Sequence, residues 1–569
     1  MDPPPTDPRP EESEVTPRGP WTTWLHAAPW IASAVLLGSV FYKAWVGDDA
    51  TITARVIDNL LHGYGLRWNV DERVQAFTHP LWALLLIPLM ACGVSWYAAL
   101  LALGVSTTAA AVSGMLYLSR LRPLLGVLAL SVLGFSRAFL DYSTSGLENP
   151  LAACLIVALL IVVPPDEASA NDVRRVAFVV ALLALTRLDL MLLCMPACGH
   201  VMFRAARAGA RASSLAAALA LGMLPLILWE GFSVVYYGFL FPNTAYAKLN
   251  TGIAQYRLLR LGIDYYHYTL AHDPWTLIAA LGLAVAVVAF RAGPAALTFG
   301  SGALAYYVYV LWIGGDFMGG RFFVAPLVVL AGLIVSRHVA WPRRIEACWL
   351  AGALILGTLF WLLPLLRPVV PHRYGPLDER ATYAESTGLL RVWHAQASGV
   401  QHNWLRRGAQ WQEEAVAAGD SQRPVYRHAY AIGMLGLASG PQVHIIDHLA
   451  LTDALLARLP AAYDPKIQPG HFERMGQWSA KQSVTSHCPL EYEVCRFWHD
   501  YEQTLRTGVC ALDDANLCRY WQAIREVTQA ELSSKERWRA IVDLNLGRLD
   551  HLIDRRRYRD ASLEYPGER

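Results

Sequence analysis

Two adjacent carboxylates, Asp48 and Asp49, stand just past the first long apolar run, roughly 27–46. At the mouth of a membrane helix, such a pair suits deprotonation of a hydroxyl or stabilisation of a sugar cation. The bland alternative is that one Asp caps the helix that follows; it leaves the second unexplained. Other connections between apolar runs carry ionisable groups to the same side. They are His79, Glu148 in Ser145-Gly146-Leu147-Glu148, Arg187 and Asp189, Tyr246 and Lys248, and Asp316 and Arg321 in a glycine-rich loop. Charges at a membrane boundary are costly unless paired or functional. Taken singly, each is explained by pairing or snorkelling; Arg187 and Asp189, for instance, can pair with each other. As a set they have a chemical sense. Arg187, Lys248, Arg321 and His79 suit a phosphate and its lipid. Glu148, Asp189, Tyr246 and Asp316 suit the rest of a substrate. A site between lipid and external water that holds phosphate and an acid pair fits sugar transfer from a lipid-linked phosphosugar. In this arrangement Asp48 is the expected base and Asp49 its partner.

The elements that position these groups follow from hydropathy and period. Residues Thr51 to His62 repeat apolar side chains at Ile52, Val56, Ile57, Leu60 and Leu61, which predicts an amphipathic helix lying on the membrane surface. Gly63 and Gly65 stop it, and 66–80 reads as an ordered polar and aromatic loop. Apolar runs follow at about 81–92, 97–118, 123–139, 147–164, 174–186, 190–203, 213–236, 275–290, 295–313, 322–336 and 347–366. Arg120, Arg122, Arg174, Arg175, Arg204, Arg207, Arg211, Arg291, Arg337, Arg343 and Arg344 mark alternate connections as cytoplasmic. Parity then makes 81–92, short for a crossing, re-entrant or interfacial. The expectation is a polytopic α-helical membrane protein with about eleven transmembrane helices. Its N-terminus lies inside, and a soluble C-terminal domain lies outside, in the periplasm.

Composition supports that class: 54% of the 569 residues are apolar and 17% charged, unevenly spread. A net charge of +2 without a basic block excludes a nucleic-acid partner. Residues 1–26 read as a disordered cytoplasmic tail with no cleavable signal, 27–369 as the transmembrane domain with its external loop 47–80, and 370–569 as the periplasmic domain. Cys488, Cys495, Cys510 and Cys518 cluster in that last part, without zinc-ribbon spacing. In an oxidising compartment they predict two disulfides whose pairing stays open. No metal site is expected; a divalent cation is compatible with the carboxylates, but nothing indicates one, and no other cofactor is implied.

Several strings together carry a resemblance. They include Gly47-Asp48-Asp49-Ala50-Thr51-Ile52, Asn59 to Asn69, Glu72-Arg73-Val74 and Thr78-His79-Pro80-Leu81-Trp82. They continue with Ser145-Gly146-Leu147-Glu148, Leu185-Thr186-Arg187, Pro242-Asn243-Thr244, Gly314-Gly315-Asp316-Phe317-Met318 and Arg321-Phe322. Ile445-Ile446-Asp447, Leu451-Thr452-Asp453 and Pro469-Gly470-His471 extend them into the external domain. The chain thereby resembles, from about Gly47 to His471, the AftB-type terminal arabinofuranosyltransferases of the mycobacterial cell wall, which are polytopic type-C glycosyltransferases. The resemblance implies the type-C fold in a bacterial cytoplasmic (inner) membrane. It implies a decaprenylphosphoryl-arabinose type donor and an extracytoplasmic glycan acceptor such as cell-wall arabinan. It also implies an external domain that helps hold the acceptor, with His471 among the substrate-binding residues. Thr51 and His79 depart from the family pattern, which has Tyr or Phe at the first position and Asn in the segment of the second. A related transferase that modifies a pilin or another envelope glycan is the neighbouring reading. A transporter or scaffold is the reading of another class. A transporter calls for intramembrane charges, broken helices or related halves; Glu230 alone lies deep in a run, and no repeat is visible.

Overall fold

The computed structural model describes residues 20–249, 251–290, 293–366, 375–395, 399–418, 424–461, 469–474 and 493–553. The expected tail over 1–19, Arg291 and Cys488 fall outside the described residues.

The first part of the chain is helical throughout. It runs α1 (Pro20–Tyr42), α2 (Asp48–Leu61), α3 (Pro80–Ala91), α4 (Trp96–Ser119), α5 (Pro123–Phe135), α6 (Arg137–Tyr142), α7 (Asn149–Val162), α8 (Ala170–Thr186) and α9 (Leu190–Arg207). It continues with α10 (Ala212–Gly222), α11 (Leu224–Tyr236), α12 (Asn243–Leu249), α13 (Gln255–His272), α14 (Pro274–Ala289), α15 (Pro294–Ile313), α16 (Val324–Val335) and α17 (Arg343–Leu366). The caps are local sequence events. Ser95 accepts the amide of Ala98 at the start of α4, and Ser169 forms a capping box with Asp172 at the start of α8. Each apolar run read from the sequence lies in these helices, so the chain is mostly helical with several apolar helices. Among the described residues, three helices are long and apolar enough to cross a membrane by themselves, Trp96–Ser119, Pro294–Ile313 and Arg343–Leu362. Counting each bent pair as one span raises this to five. The run 213–236 bends by 58° between α10 and α11, and α13 meets α14 at 101°. Pro225 and Pro274 sit at these breaks, where they withdraw an amide from the helical ladder. Eleven crossings therefore require shorter helices to count. One is α16, whose twelve residues are all buried and which reaches only about 18 Å.

The C-terminal part, called external after the sequence expectation, has α18 (Glu379–Thr387), α19 (Leu389–His394), α20 (Asn403–Ala417), β1 (Val425–Ala429), α21 (Gly433–Ser439), β2 (Val443–Asp447), α22 (Glu493–Thr507), α23 (Ala515–Gln529) and α24 (Lys535–Asn545). β1 and β2 pair in parallel, Val425 opposite Val443, with α21 as the crossover. Cys510 and Cys518 are disulfide-bonded, while the Cys488 and Cys495 side chains lie outside the described residues.

One expectation changes. α2 does not lie on a surface with a free polar face. Thr53, Arg55 and Asn59 are buried, and so are Ile52 and Val56. Trp68, Val74 and Phe77 of the following loop share a core with Trp411, Ile445, Leu455 and Trp521 of the external part. The loop thus shares the core of the C-terminal part. An aromatic-rich stretch gains more by packing against β2 and α23 than by lying in water.

Candidate active site

The two carboxylates at the start of α2 go to different places. Asp48 accepts the amide protons of Gly433 at 3.1 Å and Met434 at 2.6 Å, capping the N-terminus of α21. Burial pushes its carboxyl up to about 7, against the pull of the Met434 amide. Two turns on, Arg55 donates to Trp68 O and Val443 O, each at 2.9 Å, and to Gly436 O. α2 therefore grips α21 through the Asp48 carboxylate at its N-terminus and the Arg55 guanidinium at Gly436 O. The approach is close enough that a methyl group at Gly433 would collide with the Asp48 backbone. The expectation that Asp48 faces the substrate differs from its placement: the carboxylate turns to the amides of α21 and does not line the cavity.

Asp49 lies about 100° further round the helix and faces a cavity of about 530 Å³. Among the described residues its carboxylate makes no hydrogen bond or ion pair. Burial pushes its carboxyl up, while Lys248 and Arg321 pull it down. Behind the pair stands Glu379, at the start of α18. Burial, with Asp49 and Asp48 nearby, holds its carboxyl well above the ordinary range.

Across the cavity, Glu148 is wholly buried and gathers three partners: Arg321 Nη2 at 2.8 Å, His79 Nδ1 at 3.1 Å and Arg187 Nε at 3.7 Å. Burial alone would raise its carboxyl; Arg321, His79 and Arg187 outweigh it and hold the group well below the ordinary range. Arg187 also forms a fork on Asp189, at 2.6 and 3.1 Å, and lies over the Phe322 ring. Tyr306 donates to Asp189 at 2.6 Å. Arg321 reaches Asp316 at 3.5 Å and Asn149 Oδ1 at 3.2 Å. The loop that carries Asp316 turns through Gly314 and Gly315, with φ of +90° and +74°. A Cβ at Gly315 would sit 2.5 Å from that of Tyr265, so the turn needs glycine for both conformation and space.

Lys248, in the last turn of α12, reaches the same cavity with its ammonium 5.8 Å from the Phe317 ring centre. Among the described residues it makes no ion pair or hydrogen bond. The external part closes this side with Leu451, Gly470 and Phe472. His471 packs against Phe317 with the rings tilted and their centres 3.9 Å apart, rather than lining the cavity, and burial together with Lys248 pushes its imidazole down to about 3. Tyr246 lines the wall beneath the guanidinium of Arg458. Part of the lining is apolar: Leu188, Phe241 and Leu249 line the cavity and are 37%, 47% and 65% exposed.

Of the residues singled out in the sequence, Asp49, His79, Glu148, Arg187, Asp189, Tyr246, Lys248, Asp316 and Arg321 thus meet at one cavity; Asp48 and His471 stand behind its wall. Sequence reasoning missed Thr53, Asn149, Tyr306 and Glu379. Thr53 alone carried a signal, four residues after Asp49 and so on the same helix face. Among the described residues, no group of three or more His, Cys, Asp or Glu side chains is arranged to hold a metal ion.

No protein-family model matches the chain. It is 28% identical to the terminal β-(1→2)-arabinofuranosyltransferase of Mycobacterium tuberculosis, over 80% of this chain and 86% of that protein. It is 25% identical to the protein of the same name from Corynebacterium glutamicum, over 85% of this chain and 80% of that one. The resemblance read from the short strings therefore extends over most of the chain. The crystal structure of ArnT from Cupriavidus metallidurans in the apo state matches 79% of this chain and 89% of its own, at TM-score 0.42 and 15% identity. A likeness of that size carries no conclusion about the site.

Proposed function

We propose that this protein is a membrane glycosyltransferase of the type-C fold. It moves an arabinofuranosyl residue from a polyprenylphosphoryl donor to a hydroxyl of an extracytoplasmic glycan such as cell-wall arabinan. The observation that carries this reading is that one cavity holds a carboxylate, Asp49, and an ammonium, Lys248, neither of them hydrogen-bonded or ion-paired among the described residues, together with the exposed apolar side chains Leu188, Phe241 and Leu249. Those apolar side chains suit the lipid chain. Lys248 suits the donor phosphate, with Arg321 beside it. Asp49 takes the proton of the acceptor hydroxyl as its oxygen bonds to the anomeric carbon and the bond from that carbon to the phosphate oxygen breaks. The polyprenyl phosphate leaves with the electron pair and needs little protonation. A carboxyl raised by burial is a better proton acceptor than an exposed one. Arg187 and Asp189 are too fully engaged with each other to act on substrate and brace Glu148 instead. The external part sits outside the cytoplasm and supplies the acceptor side through Gly470 and Phe472.

The test uses the full chain in lipid vesicles with a radiolabelled polyprenylphosphoryl arabinose and an arabinan oligosaccharide. Label should move from the organic to the aqueous phase with the wild type and remain behind with Asp49→Asn. Label that stays on the lipid with the wild type, while a different lipid-linked sugar is consumed, would overturn the arabinosyl assignment. Equal transfer by Asp49→Asn would overturn the base.

A further inference from the structure

His79 Nε2 lies 2.8 Å from Thr53 Oγ1, and His79 Nδ1 lies 3.1 Å from Glu148 Oε2. Nε2 is hydrogen-bonded to the Thr53 hydroxyl, while Nδ1 has the Thr78 hydroxyl at 3.5 Å and faces Glu148 Oε2, which has no hydrogen-bond partner among the described residues, at ion-pair distance. With both ring nitrogens protonated, Nε2–H donates to Thr53 Oγ1 and the ring charge lies 3.1 Å from the Glu148 oxygen that has no hydrogen bond.

A bound donor gives that property a use. Arg321 is both the shortest partner of Glu148, at 2.8 Å, and part of the cavity wall. A phosphate that engages Arg321 competes with Glu148 for it. Glu148 has no access to water, and a buried carboxylate that loses its cation is strongly penalised. Arg187 cannot replace the loss, because Asp189 and Tyr306 already hold it. The charged groups around His79 are Glu148 with Arg187 and Arg321 behind it, Asp189 beyond Arg187, and Asp49 one turn away on α2. Lys248 and Asp316 lie across the cavity. With Asp49 ionised, these make four carboxylates against three cations before the phosphate adds its own negative charge.

We propose that His79 takes up a proton when a donor phosphate draws Arg321 from Glu148, so that donor binding is linked to proton uptake. His79 is then a positioning residue. It keeps Glu148 paired and so frees Arg321 to meet the phosphate. This rests on the phosphosugar reading above.

The experiment is calorimetric titration of the full chain in detergent with farnesylphosphoryl arabinose, in two buffers of different ionisation enthalpy at one pH. The wild type should take up about one proton per donor, and its Kd should weaken with rising pH, by up to about tenfold per unit. His79→Gln keeps a polar partner for Thr53 but cannot be charged, so its heats should be independent of buffer and its Kd flat with pH. Asp49→Asn should still take up the proton, and Thr53→Val, without the receiving oxygen, should take up less. Wild-type binding without proton uptake overturns the inference and leaves the phosphosugar reading standing. So does unchanged uptake in His79→Gln. Uptake lost in Asp49→Asn and kept in His79→Gln assigns the proton to Asp49 and overturns it as well. Absence of any binding by the wild type overturns both readings.

Discussion

The carboxylate of Asp48 and the amide of Met434, 386 residues apart in the chain, meet at 2.6 Å. The helix that carries the cavity-facing Asp49 is therefore seated on the external part by the residue just before it. Arg55 fixes the same helix to Gly436 O in the middle of α21 and to Val443 O at the start of β2. The seating of the external part and the aim of Asp49 are thus one structural fact.

Amide substitutions should separate the two acids. Asp49→Asn should fold with an unchanged melting temperature and transfer sugar at least about a hundredfold more slowly. Asp48→Asn should keep most of its turnover but lose stability by about 1.5–3 kcal/mol, the worth of charge-assisted hydrogen bonds. Initial rates and thermal melts on the same preparations check both. A stable but inactive Asp48→Asn would restore the order expected from the sequence.

Lys248 has no internal partner to lose among the described residues. Lys248→Ala should leave the fold intact and weaken donor binding by about tenfold or more, while Lys248→Arg should recover part of it. Donor titrations at fixed acceptor concentration measure this. An unchanged donor affinity would assign the phosphate to Arg321 alone.

Glu148 is the member of the cluster whose loss should unfold rather than merely slow. Removing its charge leaves Arg187 and Arg321 buried with only Asp189 and Asp316 to answer them. Glu148→Gln should cost about 3–5 kcal/mol, and Glu148→Asp should recover part of it. Urea denaturation in detergent tests this; a loss well under 1 kcal/mol would show the cluster to be adaptable.

The junction of the 66–80 loop with the external part should loosen in alkali. Burial works against the charge on His444, but Asp71 at 2.9 Å, with Glu72 and Asp453, outweighs it and raises the imidazole from 6.5 to about 9. A raised folded-state value gives stability that is complete below the unfolded value of 6.5 and is lost as pH climbs through about 9. Glu72, pushed up by burial to about 8, acts in the same direction. Asp71, held down by His444 against burial, acts oppositely, and only in acid. The melting temperature should therefore fall between neutral pH and pH about 9.5, by up to roughly 3 kcal/mol in stability. His444→Gln should flatten that slope. An equal slope in the variant would place the titration elsewhere.

The sequence by itself determined the helices and the level of the charges, because both are local properties. A run such as 97–118 is apolar on every face and becomes α4 wherever it packs. Glu148, Arg187, Lys248 and Arg321 lie at helix ends because the runs beside them exclude charge. The short strings around them were enough for a resemblance that holds across the chain. Prolines at 225 and 274 were equally legible, but the bends of 58° and 101° were not, since their size depends on what fills the space beside the break.

Only the tertiary structure decided which acid faces the cavity. Consecutive helical residues differ by about 100° in direction, so everything turns on what covers each face of α2. That is α21 on one side and a cavity on the other, and α21 is nearly four hundred residues away along the chain. The Glu148 cluster is decided in the same way. Its members come from separate connections, and no local pattern says that Arg321 will pair with Glu148 while Lys248 stays free. Hydropathy and period set the elements, because each residue expresses them alone. Pairing and aim depend on contacts between distant segments, which exist only once the chain has packed.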